Sequence, residues 1–584
     1  MEQLLLLARA SRPIPTAGGL LFTADLPGHP QPYLLKSPRA WPERLTASTE
    51  RTVPVGETEL GLLLTYDSGG NEAWQLDILE RDSGTRRRLT HDPKAIHRSV
   101  VIAPDGRRAG LSHNPGGQDD FRLGVIDLAT GAIEDWLAEP GYWLWEGWSP
   151  DGRTAAVSRS LSGTKNLAYL LGEGGDLRPV LPRARRVEQI AWAGERLLAV
   201  TDLDSEFLGV AEVDPSAPDE PLHWILQPEA DVLAVLVAPD PARAVVGVNR
   251  GPFDELALLD VESGSIEPIT ELPPGLVSPD NVSAYVDQLA WAPDGSLFVA
   301  WETPTQPAEI YQLTLDGREP VRWTEASSPP GGLRQPVQAE FRTFDGLRVP
   351  ALHYRVDGRP RPTVVWFHGG PESQLRGGFS PLFQALNRAG FDVFAPNVRG
   401  STGYGVHYFS LDDRELRWDS VRDGCEAGRH LKREGYATAL APMGGSYGGF
   451  MTLAVLVEDP DLWDAAVEIV GIADWRTFFA NTSGWRRAVR AAEYGDPETA
   501  DAEFLEEFSP LRRAHSIKAP LLVLHGRNDV RVPVGEAEQI AAAAADVELL
   551  IFDDEGHGLA KHGNRVRGYG RAIEFLTERL GGGA

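Results

Sequence analysis

Apolar and polar residues alternate with a period of two through the first half of the chain. Three of the clearest stretches are "AWQLDILERDSGTRRRLT", "FRLGVIDLATGAIEDWL" and "LALLDVESGSIEPIT". This alternation predicts strands that are buried on one face, and Asp-Gly and Ser-Gly pairs predict the hairpin turns between them. The pattern therefore predicts a succession of short antiparallel hairpins.

One turn-and-strand unit recurs along this half. It reads "IAPDGRRAGLSHN", "WSPDGRTAAVSRS", "VAPDPARAVVGVN" and "WAPDGSLFVAWE", and "AWAGERLLAVTD" is a degenerate copy. The turns fall at positions 105, 151, 195, 240 and 294, and two fainter copies near 17–25 and 57–67 bring the number of units to seven. A repeat of about 45 residues with four short strands is typical of a β-propeller blade. We therefore predict a seven-bladed β-propeller, with an unclosed β-rich domain as the alternative.

The pattern changes at the Pro/Gly-rich stretch 325–336. After one more hairpin, short apolar runs such as "RPTVVWFHGG", "ATALAPMGG" and "APLLVLHG" alternate with helix-like segments. The predicted helices cover 381–390, 413–434, 447–458 and 534–545. Alternating strands and helices predict a mostly parallel sheet with helices on both faces, and functional residues gather beyond the carboxyl ends of such strands.

The predicted organisation has three parts. A helical segment covers residues 1–12, with packing on the second domain as one arrangement. The propeller covers residues 13–328, and the sheet-and-helix domain covers residues 329–584. A chain of 584 residues is too long for one core, which agrees with at least two domains.

The net charge and the cysteine content indicate which kinds of partner to expect and in which compartment the protein is located. The formal net charge of −28 argues against nucleic acid, which is bound through clustered Lys and Arg. Cys425 is the only cysteine, so no intrachain disulfide can form, and a cytoplasmic location is expected. The N-terminal "MEQLLLLARASRP" lacks the basic start and longer apolar run of a signal peptide. No stretch approaches the ~20 apolar residues of a membrane span, so no membrane partner is expected.

The strongest chemical signal is "GGSYGGF", residues 444–450, between a strand-like run and a helix-like run. Gly444 to Gly448 fit G-x-S-x-G, in which small residues allow a sharp strand-to-helix turn that exposes the serine oxygen above the sheet. This context predicts that Ser446 is a nucleophile.

A serine hydroxyl needs a base, and the base needs an orienting acid. "LLIFDDEGHG" ends a late strand and presents His557, whereas "LLVLHGRNDVRVP" presents Asp529 on the loop after the preceding strand. The order Ser446, Asp529, His557 is that of α/β-hydrolases. His562 is the alternative base, and His525 is more consistent with support of the acid's turn.

An oxyanion formed during attack needs preorganised donors. We expect the backbone N–H of Tyr447, the residue after the nucleophile, and the N–H of Gly370 in "VVWFHGGPE". The alternative is that these glycines only form a tight turn.

At this point the chain resembles the prolyl oligopeptidase family of serine peptidases. The matching pieces are "FDGLRVPA", "HGGPES", "NVRGSTGYG", "GGSYGGFMT", "HGRNDVRVP" and "DEGHG", in family order across residues 340–560. The residue sequences "HGGP" and "RGSTGYG" are similar to the corresponding motifs of the acylaminoacyl peptidase branch. The resemblance implies a propeller that covers the site, short and N-acylated peptide substrates, release of the N-acylated amino acid, and no metal or cofactor. Relatives often assemble, so a homo-oligomer is an expectation.

Other functions stay open at this stage. A dipeptidyl peptidase relative is expected to carry a Glu-Glu pair in its propeller, and the propeller half shows no convincing pair. An oligopeptidase of the same family and a carboxylesterase use the same machinery. A non-catalytic propeller scaffold disagrees with the complete set of catalytic residue types.

Candidate specificity residues follow the strand after the nucleophile helix. The aromatic-rich stretch 474–485 predicts an apolar pocket for the residue before the scissile bond, or ordinary helix core. Its aromatic candidates are Trp475, Phe478, Phe479 and Trp485. Arg531, two residues after Asp529, either contacts substrate or holds its loop.

Overall fold

Seven antiparallel sheets follow one another along the first part of the chain in the computed structural model of the protein, which describes residues 2–277 and 285–581. The first four blades contain β1 (Ala10–Thr16), β2 (Gly19–Ala24), β3 (Gln31–Leu35) and β4 (Glu43–Arg44); β5 (Thr52–Glu57), β6 (Gly61–Tyr66), β7 (Gln75–Glu80) and β8 (Arg86–Arg88); β9 (His97–Ile102), β10 (Arg108–His113), β11 (Arg122–Asp127) and β12 (Ile133–Leu137); and β13 (Tyr142–Trp148), β14 (Thr154–Ser162), β15 (Lys165–Gly172) and β16 (Leu177–Arg185).

The last three blades complete the ring. They contain β17 (Val187–Ala193), β18 (Arg196–Thr201), β19 (Gly209–Val213) and β20 (His223–Leu226); β21 (Val232–Val237), β22 (Arg243–Arg250), β23 (Phe253–Asp260) and β24 (Ile266–Pro268); and β25 (Leu276–Val277), β26 (Leu289–Trp291), β27 (Leu297–Thr303), β28 (Gln306–Leu313) and β29 (Val321–Arg322). The prediction of a seven-bladed propeller is confirmed.

The repeated aspartate of the sequence forms the turn between two neighbouring antiparallel strands of a blade. Asp105 accepts a hydrogen bond from the N–H of Arg107 at 2.8 Å, and Asp294 accepts one from the N–H of Ser296 at 3.0 Å. The glycine after each aspartate has a left-handed φ, 65° at Gly106 and 83° at Gly295. Because the Asp-Gly pair supplies both an Asx turn and a positive φ, it marks this hairpin in the sequence.

The propeller ring is closed by side-chain packing. Every blade is built from consecutive strands, so the first and last blades share no sheet. Phe22 of β2 instead lies in one apolar cluster with Phe298 and Ile310 of the last blade. The N–H of Arg12 also donates to Gln288 Oε1 at 3.0 Å across this junction.

An eight-stranded sheet forms the centre of the second domain. Its strands are β30 (Val337–Arg342), β31 (Arg348–Tyr354), β32 (Arg361–Phe367), β33 (Asp392–Pro396), β34 (Ala437–Gly445), β35 (Ala466–Ile469), β36 (Leu521–Gly526) and β37 (Val547–Phe552). Their order is β30-β31-β33-β32-β34-β35-β36-β37, and all pairings from β33 onward are parallel.

Helices cover both faces of this sheet, as the alternation of strands and helices predicts. The helices are α1 (Glu2–Leu5), α2 (Pro381–Arg388), α3 (Val406–Phe409), α4 (Arg417–Arg433), α5 (Tyr447–Glu458), α6 (Trp475–Asn481), α7 (Gly484–Tyr494), α8 (Ala502–Glu507), α9 (Gly535–Ala543) and α10 (His562–Leu580). Short 3-10 helices cover Pro115–Gly117, Tyr285–Gln288, Ser410–Asp412, Arg414–Leu416 and Pro510–Ser516. Successive residues of β36 point to opposite faces, so Val523 packs in the core with α5, and Leu524 packs in the core with α2 and α10.

The N-terminal helix is shorter than the predicted segment 1–12. It covers Glu2–Leu5, and β1 already begins at Ala10. Leu4 and Leu5 are buried in the apolar cluster of α2 and α10, which anchors this segment on the second domain. Residues 1 and 582–584 of the predicted outer segments lie outside the described residues.

Within the described ranges, no helix is long and apolar enough to cross a membrane.

We predict that the apolar junction between the first and last blades stabilises the propeller. Phe298→Ala removes a buried ring that packs 5.4 Å from Trp323, and should lower the free energy of unfolding by about 3–5 kcal/mol. Val321→Ala, at a side chain that is 40% exposed in the same blade, should stay within about 0.5 kcal/mol of the parent. Chemical denaturation of the three proteins measures the difference. Equal losses of unfolding free energy in both variants would contradict the claim that side-chain packing closes the propeller ring.

Candidate active site

Four loops meet at one edge of the large sheet because the parallel strands end in register there. Phe367 at the end of β32 pairs with Gly444, Gly445 pairs with Ile469, and Gly526 pairs with Phe552. The segments that follow these strands carry the glycine pair 369–370, Ser446, Asp529 and His557. The shared edge therefore places the predicted chemical groups on one side of the sheet.

The turn after β34 holds Ser446 in a strained conformation. Its φ of 59° and ψ of −121° are unusual for a residue with a side chain, and α5 begins immediately after it. A Cβ on Gly444 would overlap the carbonyl oxygen of Gly448, and a Cβ on Gly448 would overlap the carbonyl oxygen of Phe367. The glycines of G-x-S-x-G are thus required by backbone contacts, and Ser446 is half-buried between them.

His557 and Asp529 form a hydrogen bond on the neighbouring loops. The distance between His557 Nδ1 and Asp529 Oδ2 is 2.7 Å. Asp529 Oδ1 accepts the N–H groups of Arg531 at 2.8 Å and Val532 at 2.9 Å, which fixes the carboxylate. Burial alone would raise the pKa of Asp529, but the adjacent His557 and the hydrogen bonds outweigh it and lower the pKa. The acid therefore stays ionised beside the imidazole.

The other two candidate histidines, His525 and His562, make their closest polar contacts with groups other than Asp529. His525 is buried beneath the acid's loop, where its Nε2 lies 2.9 Å from the carbonyl oxygen of Val532, as support of that turn requires. His562 begins α10, and its Nε2 lies 3.9 Å from Asp25 Oδ2 of the first blade. His562 therefore faces the propeller, away from Asp529.

The loop after β32 runs over the nucleophile turn. A Cβ on Gly369 would lie 3.5 Å from Ser446 Cβ. The hydroxyl of Tyr494 donates to the carbonyl oxygen of Gly370 at 3.2 Å, which ties the loop to the end of α7. Among the hydrogen bonds of the described residues, none uses the N–H of Gly370 or of Tyr447. The loop after β32 and the first residue of α5 thus each present an N–H group that has no acceptor among the described residues.

Three of the four aromatic candidates lie in the core of the second domain, and the fourth lies at its interface with the propeller. Trp475 is buried against Tyr494, with ring centroids 4.4 Å apart, so it lies one side chain away from Gly370. Phe478 and Phe479 pack behind it in the same core. Trp485 instead reaches the propeller.

Trp485 belongs to the interface between the two domains. Its ring stacks on Tyr142 of β13 at 4.8 Å and meets the edge of Phe121 at 5.6 Å. Arg98 of β9 lies over the same two stacked rings. The contact fixes the start of α7 on the propeller.

A propeller loop between β6 and β7, residues 67–74, touches the loops that carry Asp529 and His557. Arg531 Nε donates to Glu72 Oε1 at 2.6 Å, and Arg486 forms an ion pair with the other oxygen of Glu72. A Cβ on Gly70 would lie 2.7 Å from the backbone nitrogen of Gly556, next to His557. Arg531 therefore holds its loop against the propeller.

Glu72 and Tyr494 are site residues that the sequence reasoning missed. Glu72 stands alone in "GGNEAW", so a search for paired glutamates passes over it. Burial raises the pKa of Glu72, but Arg531 and Arg486 outweigh burial and lower it, so the carboxylate is ionised. Tyr494 ends α7 and gives no local motif beyond its aromatic ring.

Across residues 2–277 and 285–581, no group of three His, Cys, Asp or Glu side chains has a geometry suited to a metal ion.

Comparison with known proteins finds similarity that is centred on the second domain. Residues 378–583 match the family described as the prolyl oligopeptidase family. Dipeptidyl aminopeptidase BIII of Pseudoxanthomonas mexicana is 36% identical over 235 residues, which cover 38% of this chain and 34% of that protein. The acylamino-acid-releasing enzyme of Sus scrofa is 25% identical over 365 residues, which cover 59% of this chain and 49% of that protein. The chain thus spans about a third to a half of the length of these relatives.

The likeness in fold to one solved structure extends over nearly the whole length of both chains. A puromycin-hydrolyzing peptidase of Mycobacterium tuberculosis superposes with a TM-score of 0.84 at 22% identity, covering 99% of this chain and 96% of that chain. At this identity the likeness concerns the fold, including the propeller.

We predict that the two glycines of the turn respond differently to an added methyl group. Gly448→Ala brings Cβ onto the carbonyl of Phe367, so the domain should lose about 1–3 kcal/mol of stability despite the better helix propensity of alanine. Gly445→Ala is the matched control, because its Cβ would lie 3.8 Å from the nearest atom, the carbonyl oxygen of Ile469. Thermal unfolding compares the two variants. Equal stability would show that the close contact at Gly448 is unimportant.

Proposed function

We propose that this protein is a serine peptidase that cleaves short peptides through an acyl-enzyme, because residues 378–583 match the prolyl oligopeptidase family. The observation that carries the proposal is the hydrogen bond between His557 and Asp529 beside the strained turn at Ser446. This arrangement supplies a nucleophile, a base and an orienting acid in the order of α/β-hydrolases.

The first half of the reaction follows from these positions. His557 Nδ1 is held by Asp529, so Nε2 is the ring nitrogen available to take the proton of Ser446 as its oxygen attacks the substrate carbonyl. The N–H groups of Gly370 and Tyr447 receive the developing oxyanion. His557 then protonates the leaving amine, and the acyl group remains on Ser446.

Water completes the second half. It replaces the leaving amine and attacks the acyl carbon as His557 takes its proton, and the tetrahedral intermediate again places its oxyanion at the two N–H donors. The bond between the acyl carbon and Ser446 Oγ then breaks, His557 returns the proton to Oγ, and the carboxylic acid leaves. Asp529 stays ionised throughout and stabilises the imidazolium. The chain supplies every side chain and N–H group used in these steps, and water is the second reactant.

For the substrate class we favour N-acylated short peptides. Glu72 is the propeller carboxylate that reaches the site, and Arg531 and Arg486 both neutralise it. A carboxylate held between two guanidiniums is a poor partner for a free ammonium group, which would add a third cation. An acylated amino terminus carries no charge and meets no such repulsion.

A free amino terminus is the second candidate. The 36% identity to a dipeptidyl aminopeptidase favours this alternative. Glu72 would then exchange an arginine for the substrate ammonium. A homo-oligomer and a cytoplasmic location stay predictions.

We predict that Ser446→Ala lowers turnover of a peptide anilide by about 10⁵–10⁶-fold, since the acyl-enzyme can no longer form. Ser516→Ala is the control, because Ser516 ends a 3-10 helix at the amino end of β36. Steady-state kinetics and labelling with a fluorophosphonate probe measure both variants. Near-normal turnover of Ser446→Ala would end the proposal.

The substrate class is tested with matched anilides. Acetyl-alanine anilide should be cleaved at least ~10-fold more efficiently than the corresponding unblocked dipeptide anilide, judged by kcat/KM. A simple ester serves as a reference, because esters are hydrolysed without peptidase specificity. The reverse order, together with a raised KM for the unblocked substrate in Glu72→Gln, would establish the dipeptidyl alternative.

A further inference from the structure

A buried ionic network lies directly behind the loop that borders Ser446. Glu372 lies on that loop, and Glu493 lies in the last turn of α7. Arg490 Nη1 donates to Glu372 Oε2 at 2.8 Å, and Arg417 Nη2 donates to Glu493 Oε1 at 2.8 Å. Arg417 Nη1 also donates to Asp412 Oδ2 at 2.7 Å. The network thus links the loop to α4 and α7.

One oxygen of each glutamate forms no hydrogen bond with the arginines of this network. Glu372 Oε1 and Glu493 Oε2 are buried without a hydrogen-bond partner in the part of the chain that the structure describes. Arg490 Nη1 lies 2.8 Å from Glu372 Oε2 and 4.0 Å from Glu493 Oε2, so the two carboxyl groups meet at one guanidinium, close enough to share a proton. Two ionised carboxylates would repel at this distance, whereas one shared proton gives a short, strong O–H···O⁻ bond.

The charges around the two glutamates are balanced when the cluster binds one proton. The buried carboxyls of Glu372, Glu493 and Asp412 face the two guanidiniums of Arg417 and Arg490. The remaining groups that face the cluster lie at its margin: Asp413 and Lys165 as charges, and Tyr447 and Tyr494 as hydroxyls. The core of the cluster is therefore balanced when one of the three carboxyls is neutral.

The proton belongs on Glu493. Burial raises the pKa of Glu493, and the neighbouring charge of Glu372 raises it further. Burial also acts to raise the pKa of Glu372, but the hydrogen bond from Glu493 and the charge of Arg490 lower it. Burial raises the pKa of Asp412 to about 7 against the opposing charge of Arg417.

The pair acts on the oxyanion donors through the loop. Tyr494, next to Glu493, already donates to the carbonyl oxygen of Gly370, so the end of α7 holds the loop at two points. A Cβ on Gly163, at the tip of the β14–β15 hairpin, would overlap the carboxylate of Glu372. The propeller therefore closes over the pair and keeps water from separating it.

We propose that Glu493 is a protonated positioning residue, which donates from Oε2 to Glu372 Oε1 and thereby holds the N–H of Gly370 in place for the oxyanion. The inference rests on the proposed function. Protonation is required, so the contribution is complete below the pKa of the pair and is lost as pH rises through it. The structure therefore assigns an alkaline fall in kcat to a pair that does not touch substrate.

The test compares pH profiles of kcat and KM for the wild type, Glu493→Gln and Glu493→Ala with one peptide anilide. The amide of Glu493→Gln donates to Glu372 at every pH, so kcat at neutral pH should stay within ~3-fold of the wild type and the alkaline fall should disappear. Glu493→Ala should lower kcat ~10–100-fold with little change in KM, since one oxyanion donor is misplaced.

Asp412→Asn is the matched comparison, because it removes another carboxylate charge of the same network but keeps the carboxyl donor at Glu493. Since the charge of Asp412 helps to raise the pKa of Glu493, the alkaline fall should persist in Asp412→Asn but move to lower pH. An unchanged alkaline fall in Glu493→Gln would overturn the inference, and so would its loss in Asp412→Asn. If Glu493→Ala does not fold, the profile of Glu493→Gln decides alone. An inactive wild type would overturn the proposed function and this inference with it, whereas an active wild type with an unaltered Glu493→Gln profile overturns only the inference.

Discussion

The close approach of two backbones, Gly448 in α5 and the carbonyl of Phe367 at the end of β32, is the constraint on which the site depends. It allows α5 to begin at the sheet edge, which forces Ser446 into a left-handed conformation and brings the loop of Gly369 over it. The strain is sustained because α5 is buried almost entirely between the sheet and α4. A rigid, apolar helix thus holds a polar and strained turn.

The contact between the two domains likewise combines close backbone packing with polar groups that are held in place. The loop at residues 67–74 places backbone against Gly556 and an ionised Glu72 between Arg531 and Arg486. The loop of Asp529 therefore cannot move far from the propeller without leaving a charge unpaired, and the loop of His557 is held by close backbone packing. The stacking of Trp485 on Tyr142 adds an apolar contact beside it. The propeller thus contributes to the shape of the site as well as covering it.

Local patterns account for what the sequence predicts well. Asp105 and its repeats mark hairpins because the Asx turn and positive φ are properties of adjacent residues. The turn at Ser446 is found for the same reason. Glu72 and Glu493 are missed, because their roles arise from contacts with segments far away in the chain, and a single glutamate has no local signature. The length of α1 is overestimated because an apolar run of five residues does not reveal where a strand begins.

The central claim is that Ser446, His557 and the N–H groups of Gly370 and Tyr447 converge on one reacting carbonyl. A crystal structure of the protein after reaction with a fluorophosphonate tests it most directly. The account predicts phosphorus bonded to Ser446 Oγ, with the phosphoryl oxygen accepting hydrogen bonds from both N–H groups at about 2.7–3.1 Å. Phosphorus on a different side chain, or a phosphoryl oxygen directed away from both donors, would contradict it.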